Sequence, residues 1–242
     1  MSDGIILEAR DLEKRFGGVR AIAGVDFRLR GGELRCLIGP NGAGKSTFFK
    51  MLTAQLPPSR GVILLNGVDI TRMERHHIAR LGIGIKNQVP SVFDGLSVHE
   101  GLWLAAAASG AAKGDIEVGV DATLDQLGLV PIADRTVGFL AHGQRQWVEL
   151  GMVMARRPSV ILLDEPTAGM SAEEVRRTAG LIRELNRTAA LVVVEHDMQF
   201  IRDIAKMVTV FHQGRILMEG TISEVQSDPR VRAVYLGARS HA

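Results

Sequence analysis

Gly39-Pro-Asn-Gly-Ala-Gly-Lys-Ser-Thr47 is the stretch that decides the fold. The apolar run Cys36-Leu-Ile38 precedes it, and Phe48-Phe49-Lys50-Met51-Leu52 follows with residues able to continue as a helix. Strand, glycine-rich turn and helix form the context in which G-x-x-x-x-G-K-[ST] cradles phosphate. Gly39, Gly42 and Gly44 reach backbone angles closed to other residues, so successive N–H groups can face one concavity. The helix that follows adds its positive N-terminal end. Lys45 can reach the β- and γ-phosphates, and the Ser46 hydroxyl can ligate Mg²⁺. The whole loop, with Pro40, Asn41, Ala43 and Thr47, is read as a nucleotide-binding element.

Working outward, the 242 residues suffice for one large α/β domain, or for a domain with a smaller lobe. A hydrophobic content of 46% is ample for a packed core and argues against disorder. The net charge of +2, with acids and bases interleaved, gives no global electrostatic reason to expect a nucleic-acid partner. The single cysteine, Cys36, sits in an apolar strand and permits no disulfide within the chain, which fits a reducing compartment. Met1-Ser-Asp-Gly4 does not read as a signal peptide. The apolar stretch from Leu102 is broken by Ser109, Gly110, Lys113 and Asp115, short of the ~20 residues a bilayer requires. The chain is not expected to cross a membrane by itself.

Before the loop, Ile5–Leu7, Val25–Leu29 and Glu33–Cys36 read as short strands, with turns at Gly17-Gly18 and Gly31-Gly32. They predict an antiparallel sheet beside the nucleotide site. Gly61–Leu65 is another strand, turned at Asn66-Gly67; His76–Leu81 reads as helix and Gly82–Lys86 as strand. Residues 89–141 change character. Ser97–Ala108 is helical, with Ser97 and Glu100 forming a capping box, and Asp115–Leu127 and Gln144–Arg156 follow as helices. The expectation is one domain, with an α/β core at 1–88 and 158–242 and an inserted helical subdomain at about 89–157. Val160–Leu163 and Leu191–Val194 are continuous apolar runs, as in parallel strands covered on both faces. The helix Ala172–Asn186 lies between them. A hairpin at Gln213-Gly214 and short helices at Ser223–Gln226 and Pro229–Leu236 complete the chain.

Both apolar runs end in charge, Asp164-Glu165 and Glu195-His196-Asp197. Ligands of open α/β sheets sit at the carboxyl ends of strands, so both clusters are placed to meet the loop. Asp164 is presented at the strand exit as an Mg²⁺-holding carboxylate. Glu165, beside it, can polarise the water that attacks the γ-phosphate.

Leu140-Ala-His-Gly-Gln-Arg-Gln146, on the turn into a helix ahead of Asp164, resembles the signature motif of ATP-binding cassette (ABC) ATPases. That motif is usually Leu-Ser-Gly-Gly-Gln. The phosphate loop, Gln88, Asp164-Glu165 and His196 match the family in order and spacing, so the resemblance covers nearly the whole chain. It implies a P-loop ABC ATPase core with an N-terminal antiparallel β subdomain and an inserted helical subdomain, using ATP and Mg²⁺. It further implies that two cassettes pair head to tail, each ATP pressed between one phosphate loop and the partner's signature. By resemblance Glu165, His196, Lys45 and Gln88 are catalytic, and Ser46, Gln88 and Asp164 hold the metal. Phe16 stacks on adenine, and Ala141, His142, Gly143 and Gln144 meet the partner's nucleotide. Ala141 departs from the usual serine, His142 from a glycine and Asn87 from an aromatic, and Ser171 stands where many cassettes carry aspartate. Trp147, Leu150 and Met154 follow helical spacing and read as core. His76 and His77 read as exposed helix residues without metal-binding companions.

Phe16-Gly-Gly18, His142–Trp147, Ala168-Gly-Met170 and Val234-Tyr-Leu-Gly237 resemble the ATPases of branched-chain amino acid and urea or amide importers, with Ile78–Gly84 and His142–Met152 nearest the urea group. The Tyr-Leu-Gly ending also occurs in lipopolysaccharide-export ATPases, so the solute stays open, as does a soluble, non-transport role. An importer ATPase implies membrane permease subunits, a second cassette, identical or different, and indirectly a periplasmic or extracellular solute-binding protein. It also implies a peripheral place on the cytoplasmic face of the inner membrane. Val89, Val92, Phe93 and Leu96 are expected to line a groove for a short permease helix.

Overall fold

The computed structural model describes residues 4–88, 92–109 and 112–237. The chain opens with two twelve-residue strands, β1 (Ile5–Phe16) and β2 (Val19–Arg30), paired antiparallel around Gly17-Gly18. The sequence reading expected three short strands before the loop. Two of them prove to be fragments of long ones, because buried charge breaks the apolar alternation. Glu8 and Glu13 point inward at 7% and 6% exposure. Arg10 and Arg28 neutralise Glu8 at 2.7 and 2.9 Å, and Arg20 and Arg15 serve Glu13. Paired buried carboxylates look polar in sequence yet sit inside a strand.

Strand β4 (Arg60–Leu65) pairs with β1, and β5 (Val68–Asp69) turns back on β4 at Asn66-Gly67. The first sheet therefore has the order β2-β1-β4-β5. The second contains β3 (Leu34–Ile38), β6 (Ile83–Lys86), β7 (Val160–Asp164), β8 (Ala190–Val194), β9 (Met207–His212) and β10 (Arg215–Gly220). Its order is β10-β9-β3-β8-β7-β6, parallel except for β10. Every residue of β8, a continuous apolar strand, is buried, and every residue of β3 as well, Arg35 through its ion pairs with Glu33 and Glu219.

Helix α1 (Lys45–Leu52) leaves the loop and wedges between the sheets. Phe48 packs edge-on to Phe27 of β2, centroids 5.4 Å apart, and against Phe211 of β9 at 5.1 Å. Helix α2 (Arg75–Arg80) precedes β6. Between β6 and β7 the described residues hold α3 (Val98–Ala107), α4 (Lys113–Gln126) and α5 (His142–Met154), with two short 3₁₀ turns and no strand. The expected capping box on α3 is present: Ser97 Oγ accepts from the Glu100 N–H at 3.1 Å, and Glu100 accepts from the Ser97 N–H at 2.8 Å. Helix α6 (Ala172–Leu185) carries the same device through Ser171 and Glu174. Helix α7 (Met198–Ile204), which the sequence reading did not register, is capped by Asp197 accepting from the Gln199 and Phe200 N–H groups. Helices α8 (Ile222–Ser227) and α9 (Pro229–Gly237) close the described chain. No helix of the described residues is long and apolar enough to cross a membrane.

Candidate nucleotide site

The loop between β3 and α1 turns at Gly44, φ 107°, a backbone angle that L side chains rarely adopt. A Cβ there would also meet Ile22 Cδ1 at 2.8 Å and the Ala21 carbonyl at 2.9 Å, so only glycine fits. Lys45 folds back over the loop, its Nζ donating to the Gly39 and Pro40 carbonyls at 2.6 and 3.0 Å. Burial lowers the Lys45 pKa, and the charges of Glu165 and Asp164 oppose that shift. Ser46 is exposed at the first turn of α1, Asn41 and Gly42 are exposed in the loop, and Ala43 and Gly39 are buried beneath it.

Strands β7, β8 and β6 converge on the same end of the sheet. Asp164 closes β7, and its pKa is raised, first by burial and then by the adjacent Glu165, while Lys50 and Lys86 pull it down. Glu165 takes a left-handed backbone at φ 44°, and its N–H donates to the Val194 carbonyl at 3.0 Å. That conformation is uncommon for a non-glycine residue and clusters at functional sites. Gln88, two residues past β6, donates from Nε2 to Glu165 Oε2 at 2.7 Å. His196 Nδ1 lies 3.5 Å from Glu165 Oε1. Residues 88, 165 and 196 thus form one cluster about a carboxylate, beside a loop whose lysine feels its charge. Ser46, Gln88 and Asp164 offer only oxygen donors that suit a hard cation such as Mg²⁺.

Glu195, which the sequence reading grouped with the acids facing the loop, turns inward at 2% exposure. It accepts from Thr167 Oγ1 at 2.5 Å and from the His196 N–H at 2.9 Å, tying the segment after Glu165 to the end of β8. Phe16 is 49% exposed at the tip of the β1–β2 hairpin, with Lys14 Nζ 5.3 Å from its ring centroid, so it is not a core phenylalanine.

Ala141 is the N-cap of α5 and has no side-chain acceptor; the Ala141 N–H donates to Gln144 Oε1 at 3.2 Å. Gly143 is buried, and a Cβ on it would overlap the Glu174 carboxylate at the start of α6. Trp147 is buried as expected, but it binds outward to α6. Its Nε1 donates to Thr178 Oγ1 at 3.0 Å, and the Arg177 guanidinium lies 3.9 Å from its ring centroid.

One expectation is corrected. His76 and His77 do have a companion, Glu74, with donor atoms of all three within 4.8 Å of one another, although all are exposed. The groove between α2, β6 and the helices α3 and α5, about 330 Å³, is lined by Arg75, His76, Asn87, Ala105, Met152 and Arg156 among others. Of the residues expected to line a groove for a permease helix, Phe93 is 51% exposed and Val92 packs against the core. Val89 lies outside the described residues.

The ABC transporter family model matches residues 22–168, across the loop, Gln88, the head of α5 and Glu165. The chain belongs to the ABC transporter ATP-binding cassettes. A second model, the branched-chain amino acid ATP-binding cassette transporter, matches residues 215–241 of the cassette. The high-affinity branched-chain amino acid transport ATP-binding protein of Pseudomonas aeruginosa is 32% identical, over 96% of this chain and 98% of its own. The lipopolysaccharide export system ATP-binding protein of Acidithiobacillus ferridurans is 33% identical over 96% and 97%. A crystal structure of the ADP conformation of an ABC-transporter cassette superposes with a TM-score of 0.85 at 28% identity, covering 96% of this chain and 99% of that one. A nucleotide-free cassette gives 0.85 at 27%, covering 96% and 98%. The cassette is an ATP hydrolase, the subunit of a transporter that works with membrane components.

Sequence reasoning gave no site role to Lys86, Glu149 or Tyr235. Tyr235 of α9 is half-buried, and the Gly39 backbone figures among the influences on its phenol. No local pattern marks a tyrosine some 200 residues away as a neighbour of the loop.

Proposed function

We propose that the cassette energises uptake of a small polar solute, a branched-chain amino acid, urea, an amide or a related compound, through a separate membrane permease. The observation that carries the importer reading is the match of residues 215–241 to the branched-chain amino acid cassette model. The relative of the same transport class over 96% of the chain supports it.

In this reading Gly39–Thr47 holds the ATP phosphates, Phe16 stacks on the base, and Mg²⁺ sits among Ser46, Gln88 and Asp164. The metal supplies charge neutralisation at the phosphates. Glu165 takes the proton from the attacking water. Gln88 and His196, both within reach of that carboxylate, orient it. Ala141, His142, Gly143 and Gln144 face the γ-phosphate of a second cassette, identical or different, through the N-terminus of α5. Closing the pair over ATP moves the permease halves. The groove beside β6 receives a permease segment on the cytoplasmic face of the inner membrane, and a solute-binding protein delivers the cargo from the other side.

Purification from detergent-solubilised membranes should recover the cassette with permease subunits. The reconstituted complex should show ATPase activity stimulated by its solute when branched-chain amino acids, urea and short amides are compared. Recovery with ribosomes or nucleic acid, without a membrane partner, would sink the transporter reading. The 33% identity to the lipopolysaccharide-export cassette supports a second reading. Stimulation by lipopolysaccharide, and by none of the small solutes, would favour it.

A further inference from the structure

Helix α5 carries a stripe of polar side chains that starts exposed at His142 and runs into the core. His142, Gln146 and Glu149 stand at i, i+4 and i+7, which places them on one stripe. Gln146 is fully buried and Glu149 is 4% exposed. An apolar stripe would pack with a smaller desolvation cost, so these groups call for a physical reason.

The stripe meets the core at two points. His142 Nε2 lies 3.1 Å from the Ala168 carbonyl and 3.2 Å from Gln146 Nε2. Seven residues further along the helix, the Glu149 carboxylate lies 3.6 Å from Lys86 Nζ. Lys86 is 0% exposed and also donates to the Asn87 carbonyl at 3.2 Å. Lys86 ends β6 two residues before Gln88, and Ala168 follows Glu165 by three. Because Gln88 and Glu165 are themselves bonded at 2.7 Å, a ring closes. It runs from Gln88 to Glu165, along the chain to Ala168, across to His142, down the backbone of α5 to Glu149, across to Lys86 and along the chain back to Gln88.

We propose that the Lys86–Glu149 pair, with the His142–Ala168 contact, is a positioning device. It fixes the head of α5 relative to Gln88 and Glu165, so the surface offered to a second cassette and the groups serving the cassette's own ATP are set together. This rests on the head-to-tail reading above. A buried ion pair contributes little net stability compared with apolar packing, and fixing one arrangement among several is its best-attested use. Lys86 and Glu149 are positioning residues; neither belongs to the phosphate loop, the base or the metal set.

The test uses the full chain. Lys86→Met/Glu149→Leu removes both charges together and keeps volume, so no buried charge is stranded. Fluorescent-ATP affinity, kcat and KM are measured, along with ATP-dependent dimerisation by size exclusion in a Glu165→Gln background. The expected result is nucleotide affinity within about twofold of the parent and kcat lowered about 10- to 100-fold, the scale of a small misplacement. The dimer should also require more ATP. A kcat and dimerisation within twofold of the parent would overturn the proposal, as would affinity and kcat falling in step. The isosteric Glu149→Gln is the second variant, and a parent-like kcat there also overturns it. If Glu165→Gln alone forms no dimer with ATP, the head-to-tail reading fails and the proposal with it. A dimer indifferent to the pair refutes the pair alone.

Discussion

Glu165 sits in a left-handed backbone conformation with Gln88 bonded to one carboxylate oxygen and His196 3.5 Å from the other. In the proposed reading this carboxylate takes the proton of the attacking water, so replacing it should remove proton acceptance while leaving the loop untouched. Glu165→Gln should bind ATP with parent affinity and lower kcat ~10²–10⁴-fold, measured by phosphate release. Parent-rate turnover would assign the base elsewhere. The acid itself was legible from sequence, because charge following four apolar residues marks a strand exit. Its two partners were legible only by resemblance, since residues 88 and 196 share no local pattern with 165. Tyr235 offers a separate test by pH. Burial pushes its phenol up to about 12, above the ordinary tyrosine range. The native state therefore keeps a proton that the unfolded chain has already released. The stability this contributes is complete below pH 10 and is lost as pH rises from 10 to 12. Tyr235→Phe removes that loss, so its melting temperature should gain on the parent across the window. A constant difference from pH 9 to 12 would show that the phenol's pKa is not raised in the folded protein.

Among elements, α5 and α6 meet closely at Gly143. Gly143 approaches so closely that a methyl group would overlap Glu174, which also closes the capping box with Ser171. Gly143→Ala should leave ATP binding intact and reduce turnover at least tenfold by tilting the head of α5. Trimming the obstruction in Gly143→Ala/Glu174→Ala should restore part of it. If the double variant is no better than the single one, the clash is not the cause. The resemblance set Gly143 against a partner's nucleotide, and nothing in the sequence pointed to Glu174 as its neighbour. Helix α7 escaped the sequence reading for a related reason. It is seven residues long, and it follows the charged exit of β8, where the eye expects a loop. Asp197, an N-cap signal, was absorbed into the acidic cluster.

At the scale of the whole molecule, Phe48 holds the two sheets together. It is fully buried, carried on the helix of the phosphate loop, and flanked by Phe27 of one sheet and Phe211 of the other. Phe48→Ala should cost about 3–5 kcal/mol, lowering the melting temperature by on the order of 10 °C. Calorimetry that finds less than about 1 kcal/mol would show the sheets packing without it. The sequence by itself determined the phosphate loop, the order of most strands and helices, the capping box at Ser97 and the hairpin turns at Asn66-Gly67 and Gln213-Gly214. These are local, written in periods of two and 3.6 residues and in the chemistry of single turns. The tertiary structure alone decided that β1 and β2 run twelve residues through paired charges. It also decided that Lys86 meets Glu149 and that β6, β7 and β8 bring Gln88, Glu165 and His196 to one end of a sheet. Those contacts span tens of residues. They exist because strand order sets neighbours, and because a buried charge must find a partner wherever the fold supplies one.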